Sequence, residues 1–600
     1  MKNIFYKITL ATLVAGAVLA ATSCSDELDL TPSDYYTPQN FWKDKSQFEG
    51  FITAQANMFR ANYTQQVLFE AGDIRSGVLW SGTLPDGSGG ANSTYIMNSY
   101  SDAHTQFTNF GGWFGYIANI NEFIYRIDNQ EGILTTDEAN GLLAMSYGQR
   151  AYCYFQMYRM YGGVPLRTEP DVILGEYTPS KLYKPRATAE ETLTQIKSDI
   201  DKSLTLFNSS SYQFSSKNYY WSKAATELLA GQVYLWSGKV STGDHQANDG
   251  DVATAKTYFS NVINNYNYRL EDDYFNIWLT PQSNEAIFSV CYSSNSDGNY
   301  YNGLTNFNWA YLTGRAIGSY WSDLGPQGYD KITDGSAQRF CQYTTNPNIA
   351  GGRNELGESL SLGVQRYMCK NALFFQFNEK DQRSDAFYPV YDVKDNEQNI
   401  YKLDNFDPTQ YKLAGTFVIK FRYSHVDGQQ YWQGVVDMPI YRLPDAILGL
   451  AECYNYEGNN NGVKSCINQL RERAYGSDWN EATYGYTPGS FRQNESEIMR
   501  EYDREFYLEG RRWWNLRRLT TVKGGSQTDH FVFQPEGCVG FGLPVGSSPW
   551  MIENDGTVCE TIETVLPTSM EYRLLWPIDN ELLGSDPEIK QNPGYGTPNN

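Results

Sequence analysis

Read by its hydrophobic period, the chain is a series of amphipathic helices separated by stretches with no period. In residues 498–518, IMREYDREFYLEGRRWWNLRR, Ile498, Tyr502 and Phe506 recur at i, i+4 and i+8 and share one helical face. Glu501, Glu505 and Glu509 form a second row, which repels itself unless arginines lie against it. Arg504 and Arg512 stand three residues beyond Glu501 and Glu509, within reach of each on the neighbouring turn. Glu495 and Glu497 precede the apolar face, and Arg511, Arg512, Arg517 and Arg518 follow it. That order suits the macrodipole of one helix running through the segment. A row of glutamates also raises general acid/base catalysis. No His, Cys or Ser nucleophile lies nearby, so the spacing points instead to an ion network inside a scaffold.

The same period recurs along the chain. Residues 39–60 predict a helix with Phe41, Trp42, Phe48 and Phe51 inward, and residues 113–127 one striped by Trp113, Ile117, Ile120 and Ile124. Residues 144–161 carry Ala151 and Phe155, the A-x-x-x-F element of a tetratricopeptide helix, in which a small residue lets a partner approach. Thr188 is a helix N-cap, with Glu190 and Glu191 in the first turn after it. Residues 221–238 and 252–263 form a second pair, with Ala255 and Phe259 repeating the motif, and residues 438–456 and 463–473 a third. Long insertions interrupt the pairs, which excludes a simple solenoid. The expected fold is mainly α: tetratricopeptide-like hairpins in a superhelical base, with loop-rich insertions over one side and a few short strands, among them 420–424.

One insertion departs from any period. Between Asn295 and Asp323, Tyr300, Tyr301, Phe307, Trp309, Tyr311, Tyr320 and Trp321 are interleaved with Asn, Gly and Ser. No hydrophobic face explains so many rings. They either pin the loop to the helical base or offer flat faces to a ligand. Sugar rings stack on such faces, and a peptide can use the same surface through its amides. Trp309, Tyr320 and Trp321 are the foremost candidates, with Tyr300 and Tyr311 beside them.

Composition sharpens this picture. The formal charge of −22 argues against nucleic acid and against electrostatic docking to anionic lipid. Aromatic residues make up 15%, including 47 Tyr and 14 Trp, and an acidic, ring-rich surface suits stacking on uncharged ligands. The four histidines are scattered, and the polar run 243–251 lacks EF-hand spacing and its terminal Glu, so it is expected to be a solvated loop. No H-E-x-x-H, G-x-S-x-G, Walker loop or C-x-x-C occurs. Neither a metal nor a cofactor is expected, and the chain does not read as an enzyme. Cys453 and Cys466 are able to face each other across a helix pair, although free buried thiols are expected for most cysteines.

The N-terminus is a targeting segment. Lys2 and Lys7 precede an apolar run, residues 8–21, too short to span a bilayer comfortably. It ends in Ala21-Thr22-Ser23-Cys24, which resembles a bacterial lipobox and implies acylation of Cys24. The expected organisation is a signal peptide over 1–23, an acylated cysteine and acidic tether over 24–38, and one domain over 39–600.

Glu505, Glu509, Gly510, Arg512, Leu516 and Arg518, with the segments 162–166, 379–383, 574–578 and 591–595, together resemble the SusD/RagB family of outer-membrane nutrient-binding lipoproteins. Those six residues fall on the family's signature, with Asn515 where Asp is usual. Residues 162–166 resemble its YG-x-VPL turn, 379–383 its D-x-R turn, 574–578 its LWPIP ending and 591–595 its QNPGY tail. The resemblance implies a lipid-anchored protein, exposed on the outer surface of the outer membrane, that captures a nutrient and passes it to a SusC-like TonB-dependent transporter. Oligosaccharide is the ligand class implied first, and oligopeptide, as for RagB-type members, is the alternative. The family commonly places binding residues near 72–90, which makes Arg75 and Trp80 candidates. The competing reading has Arg75 paired near Asp73 and Trp80 in the core.

Overall fold

The computed structural model describes residues 41–62, 71–80, 111–175, 178–214, 218–291, 368–369, 371–378, 380–392, 412–418, 420, 437–541 and 564–596. Among the described residues the longer helices of the base are α1 (Lys45–Asn62), α2 (Gly111–Asp128), α3 (Thr136–Tyr161), α4 (Ala189–Asn208), α5 (Lys223–Lys239), α6 (Gly250–Asn264), α7 (Leu443–Glu457), α8 (Asn460–Tyr475), α9 (Phe491–Phe506) and α10 (Arg512–Arg518). They pack in sequence as hairpins, α3 on α4, α5 on α6, then α6 on α7 and α7 on α8 and α9. Among the described residues no helix is long and apolar enough to cross a membrane.

The helix starts follow local chemistry. Thr135 and Glu138 close a capping box on α3, and Thr188 and Glu191 close one on α4. From Gly141 to Tyr161 every residue of α3 is buried, so this helix is the central pillar. The tetratricopeptide motif works as its composition requires. Phe259 of α6 sits between Gly231 of α5 and Gly449 of α7, and a Cβ at either glycine would lie 2.5 Å from its ring. Glycine at both positions lets three helices close on one aromatic side chain.

The strands form three two-stranded antiparallel sheets among the described residues. β1 (Leu79–Trp80) pairs with β3 (Met368–Cys369), β2 (Ala286–Val290) with β6 (Met438–Arg442), and β4 (Phe387–Asp392) with β5 (Lys412–Val418). Two sequence expectations change here. Residues 438–456 are a strand and then a helix, because Met438–Arg442 joins β2 and Pro444 opens α7 from within its first turn. Of the strand expected at 420–424, Lys420 is in a turn and residues 421–424 lie outside the described residues; a strand runs just before it, over Lys412–Val418. The first helix begins at Lys45, with Trp42 packed against Phe48 and Phe51 before it.

The segment 498–518 is two helices with a break. Leu508 has φ 57° and Gly510 φ 76°, so the chain leaves α9 at Tyr507 and re-enters helix at Arg512. The cause is tertiary. A Cβ at Gly72 would lie 1.9 Å from the Gly510 carbonyl oxygen, and the Asp73 carboxylate accepts the Gly510 N–H at 2.6 Å. A continuous helix would have its amides internally bonded and could not offer one to Asp73. Cys453 and Cys466 are both free and buried, as are the other expected thiols that fall on buried described positions, so no bridge joins α7 to α8.

Candidate functional site

The strongest concentration of chemistry is buried. Glu501 and Glu505 on α9 and Glu509 just beyond it face cations from four other segments. Arg442 at the end of β6 donates to Glu285 (2.7 Å), Glu505 (2.5 Å) and Glu509 (2.9 Å). Arg473 of α8 reaches Glu505 at 2.5 Å and Glu285 at 3.0 Å. Arg383, held by Asp381, reaches Glu501 (2.7 Å) and Glu505 (3.0 Å), and Lys420 reaches Glu509 at 2.6 Å. Arg504 pairs with Glu501 as its spacing predicts, but Arg512 pairs with Asp503, because the break turns it away from Glu509.

Burial alone would push the Glu505 carboxyl up. The guanidiniums of Arg473, Arg442 and Arg383 outweigh it and hold the group below the ordinary carboxylate range. Glu501 is lowered in the same way by Arg504, Arg383 and Arg471 against the opposing effect of burial. Burial pushes the Lys420 ammonium down to about 8, with Glu509 opposing. Acids that are fully enclosed and held ionised by fixed cations have no route to a substrate. The cluster is structural.

A second knot lies along α7. Glu452 accepts from Arg518 (2.6 Å) and Lys239 (3.0 Å), and Lys239 also reaches Glu495 at 2.9 Å. A small cavity of about 50 Å³ beside it, lined by Arg159, Arg511 and Trp514, holds little more than water.

Arg75 belongs to this interior. Its guanidinium carbon lies 3.6 Å from the Trp513 ring centre and 5.1 Å from that of Trp576, and one nitrogen donates to the Arg573 carbonyl at 2.6 Å. It is fully buried, and Asp73, near which it was expected to pair, is occupied by the Gly510 and Arg512 amides. Trp80 lies in β1, its backbone opposite Met368. Cys24 and the aromatic candidates Tyr300, Trp309, Tyr311, Tyr320 and Trp321 lie outside the described residues. The elements flanking that aromatic run are described: β2 leads to residue 291, whose carbonyl accepts from Arg60 at 3.1 Å, and β3 receives the chain downstream. The ladder therefore brings the strand of Trp80 against the segment that follows the aromatic insertion. Among the described residues no group of acids, histidines and cysteines is placed to hold a metal.

The chain matches the family model described as SusD family over residues 284–595, and the one described as starch-binding associating with outer membrane over residues 87–235. The first alone spans more than half of it. The protein belongs to the SusD family. The SusD-like protein P38 of Formosa agariphila is 24% identical over 532 residues, covering 86% of this chain and 91% of that one. A SusD superfamily protein from Bacteroides fragilis superposes with a TM-score of 0.71 at 32% identity, covering 93% of this chain and 100% of its own. A laminarin-binding SusD-like protein superposes with a TM-score of 0.58 at 18% identity over 92% and 100% of the two chains, a likeness of fold.

The SusD signature residues have a physical role here. Glu505, Glu509, Arg512 and Arg518 are all buried in ion pairs, and Gly510 supplies the left-handed turn. Asn515, in the place of the usual Asp, still accepts from Arg518 at 2.9 Å. Sequence reading missed Arg442, Arg473 and Glu285, whose partners lie far away along the chain and leave no local pattern.

Proposed function

We propose that this SusD-family protein is an outer-membrane lipoprotein that binds a nutrient glycan at the cell surface and delivers it to a SusC-like TonB-dependent transporter. The observation that carries the reading is membership of a family whose matched descriptions are of starch binding and association with the outer membrane. The name of the laminarin-binding relative points to the same ligand class. The formal charge of −22, which disfavours anionic partners, agrees with an uncharged ligand. Cys24 is the acylated anchor, residues 24–38 the tether and 39–600 one binding domain. Trp80 and the aromatic run from Tyr300 to Trp321, foremost Trp309, Tyr320 and Trp321, form the stacking surface. Arg75, the other candidate near this strand, is buried against Trp513 and Trp576 and is not assigned to ligand contact. A tethered binder needs a membrane-spanning partner to move its ligand inward.

Two measurements test the reading. Purified from native outer membrane in mild detergent, the protein should bring down a TonB-dependent barrel in stoichiometric amount, and Cys24→Ala should release it from the membrane. Laminarin and starch should bind, and Trp321→Ala should weaken the binding about tenfold, the scale of one lost stacking contact of roughly 1–2 kcal/mol. Binding of a casein digest with neither glycan bound would move the ligand class to peptide. Absence of a barrel would remove the transporter from the proposal.

A further inference from the structure

A groove of about 530 Å³ opens away from the buried clusters, between the chain that joins α4 to α5, the segment after α6 and the turn before β2. Its size falls in the range of small-ligand sites, roughly 300–1,000 Å³. Aromatic plates line it. Phe214 stacks on Tyr220 with ring centres 4.2 Å apart and planes at 19°, and Tyr266 and Tyr268 stand 6.1 Å apart on the segment after α6. Helix α1 fixes two of the lining rings: Glu49 accepts the Tyr212 hydroxyl at 2.7 Å, and Thr53 shares a hydrogen bond with the Tyr220 hydroxyl at 3.1 Å.

Between the rings lie amides. Gln213, Asn265, Asn267 and Gln282 are exposed, and their side chains carry no hydrogen bond to another described residue. Gln282 holds φ +52°, a conformation that a non-glycine side chain rarely adopts. Its N–H is anchored on buried Asp437 at 3.1 Å, the same carboxylate that accepts the Tyr219 hydroxyl at 2.7 Å. Strain of this kind persists where the surroundings over-determine it, and it clusters at ligand sites. Lys223 is the sole ionic side chain among the lining residues.

We infer that this groove is a second binding site, one that takes a short stretch of a neutral oligosaccharide. Half-buried rings stack on the apolar faces of sugars, and exposed amides offer both donors and acceptors to hydroxyls. An extended peptide binds best by adding to a sheet edge, and no lining residue lies in a strand. The near-absence of charge also disfavours acidic or basic ligands. The groove adjoins the stem of the aromatic insertion, since the Asn218 carbonyl accepts the Ser289 N–H of β2 at 2.7 Å. The inference rests on the glycan reading above.

The test uses the full mature chain and neutral gluco- and mannohexaoses at millimolar concentration, by titration calorimetry and by soaking crystals. Gln213→Ala with Asn267→Ala alters two exposed side chains, and Tyr266→Ala removes one plate. The expected result is sugar density in the groove and an affinity about tenfold weaker in the double variant at an unchanged melting temperature. An empty groove with equal affinity in wild type and double variant would overturn the second site. The glycan reading would then survive through the effect of Trp321→Ala. Peptide from a casein digest in the groove, with no hexaose bound anywhere, would overturn both.

Discussion

The buried cluster around Arg442 and the groove around Tyr266 are both dense in polar groups, and they are built on opposite terms. Around Arg442, full charges are enclosed and each is met by several partners at 2.5–3.0 Å. In the groove, the uncharged amides of Gln213, Asn265, Asn267 and Gln282 remain exposed, and none has a side-chain partner among the described residues. Desolvating a charge is expensive, so a buried ion network is tolerated only when every member is satisfied, and it then fixes one arrangement of the elements that contribute. An exposed amide exchanges water for a ligand at little cost. The charges of this protein therefore position α8, α9, β6 and the 381–383 turn, while the groove keeps neutral side chains at its surface.

The largest effect is expected where that contrast is sharpest. Arg442→Ala leaves Glu285, Glu505 and Glu509 short of their shared cation. Loss of one buried partner costs about 3–5 kcal/mol, so denaturant unfolding should show a large drop or no folded product. A variant that melts within a few degrees of wild type would mean that Arg473 and Lys420 suffice, and the cluster would be redundant.

Acid should act on the buried interior through His530. Burial, then Lys239 and Arg517, push its imidazole from 6.5 down to about 3. The unfolded chain takes up the proton that the folded protein refuses. Stability is thus complete above about pH 6.5 and is lost as pH falls toward about 3, by an amount on the order of 4 kcal/mol. In His530→Phe that part of the slope should vanish from unfolding curves recorded through this window, and an unchanged slope would assign acid sensitivity to the carboxylates instead.

Gly72→Ala should cost about 1–3 kcal/mol, because its Cβ would collide with the Gly510 carbonyl 1.9 Å away and force the α9–α10 break to move. A neutral result would show that the break tolerates displacement. Smallest of all, Gln213→Ala in the groove should leave stability within about 0.5 kcal/mol of wild type. A larger loss there would erase the contrast with the charged interior.

Much of the fold was legible in order along the chain, because its causes are local. Thr188 caps α4 through its own N3 glutamate, and Ala255 and Phe259 announce the close packing of α6. The glutamate row was legible as an ion network, and Glu501 finds Arg504 one turn away. The remainder required partners that no window contains. Arg442 is separated from Glu505 by 63 residues and from Glu285 by 157. The groove was invisible for the same reason: Phe214, Tyr266 and Gln282 sit on three connections that resemble ordinary loops when read singly.

What the sequence determined by itself was most of the helices, the Thr188 cap and the family to which they belong, since hydrophobic period and capping act over a few residues. What the tertiary structure decided was where helices stop and which polar groups meet. The α9–α10 break depends on Gly72 and Asp73 arriving from the other end of the chain, and Arg75 lies between Trp513 and Trp576 rather than at the surface. Those outcomes turn on desolvation and contact between remote segments, and neither acts until the chain has folded.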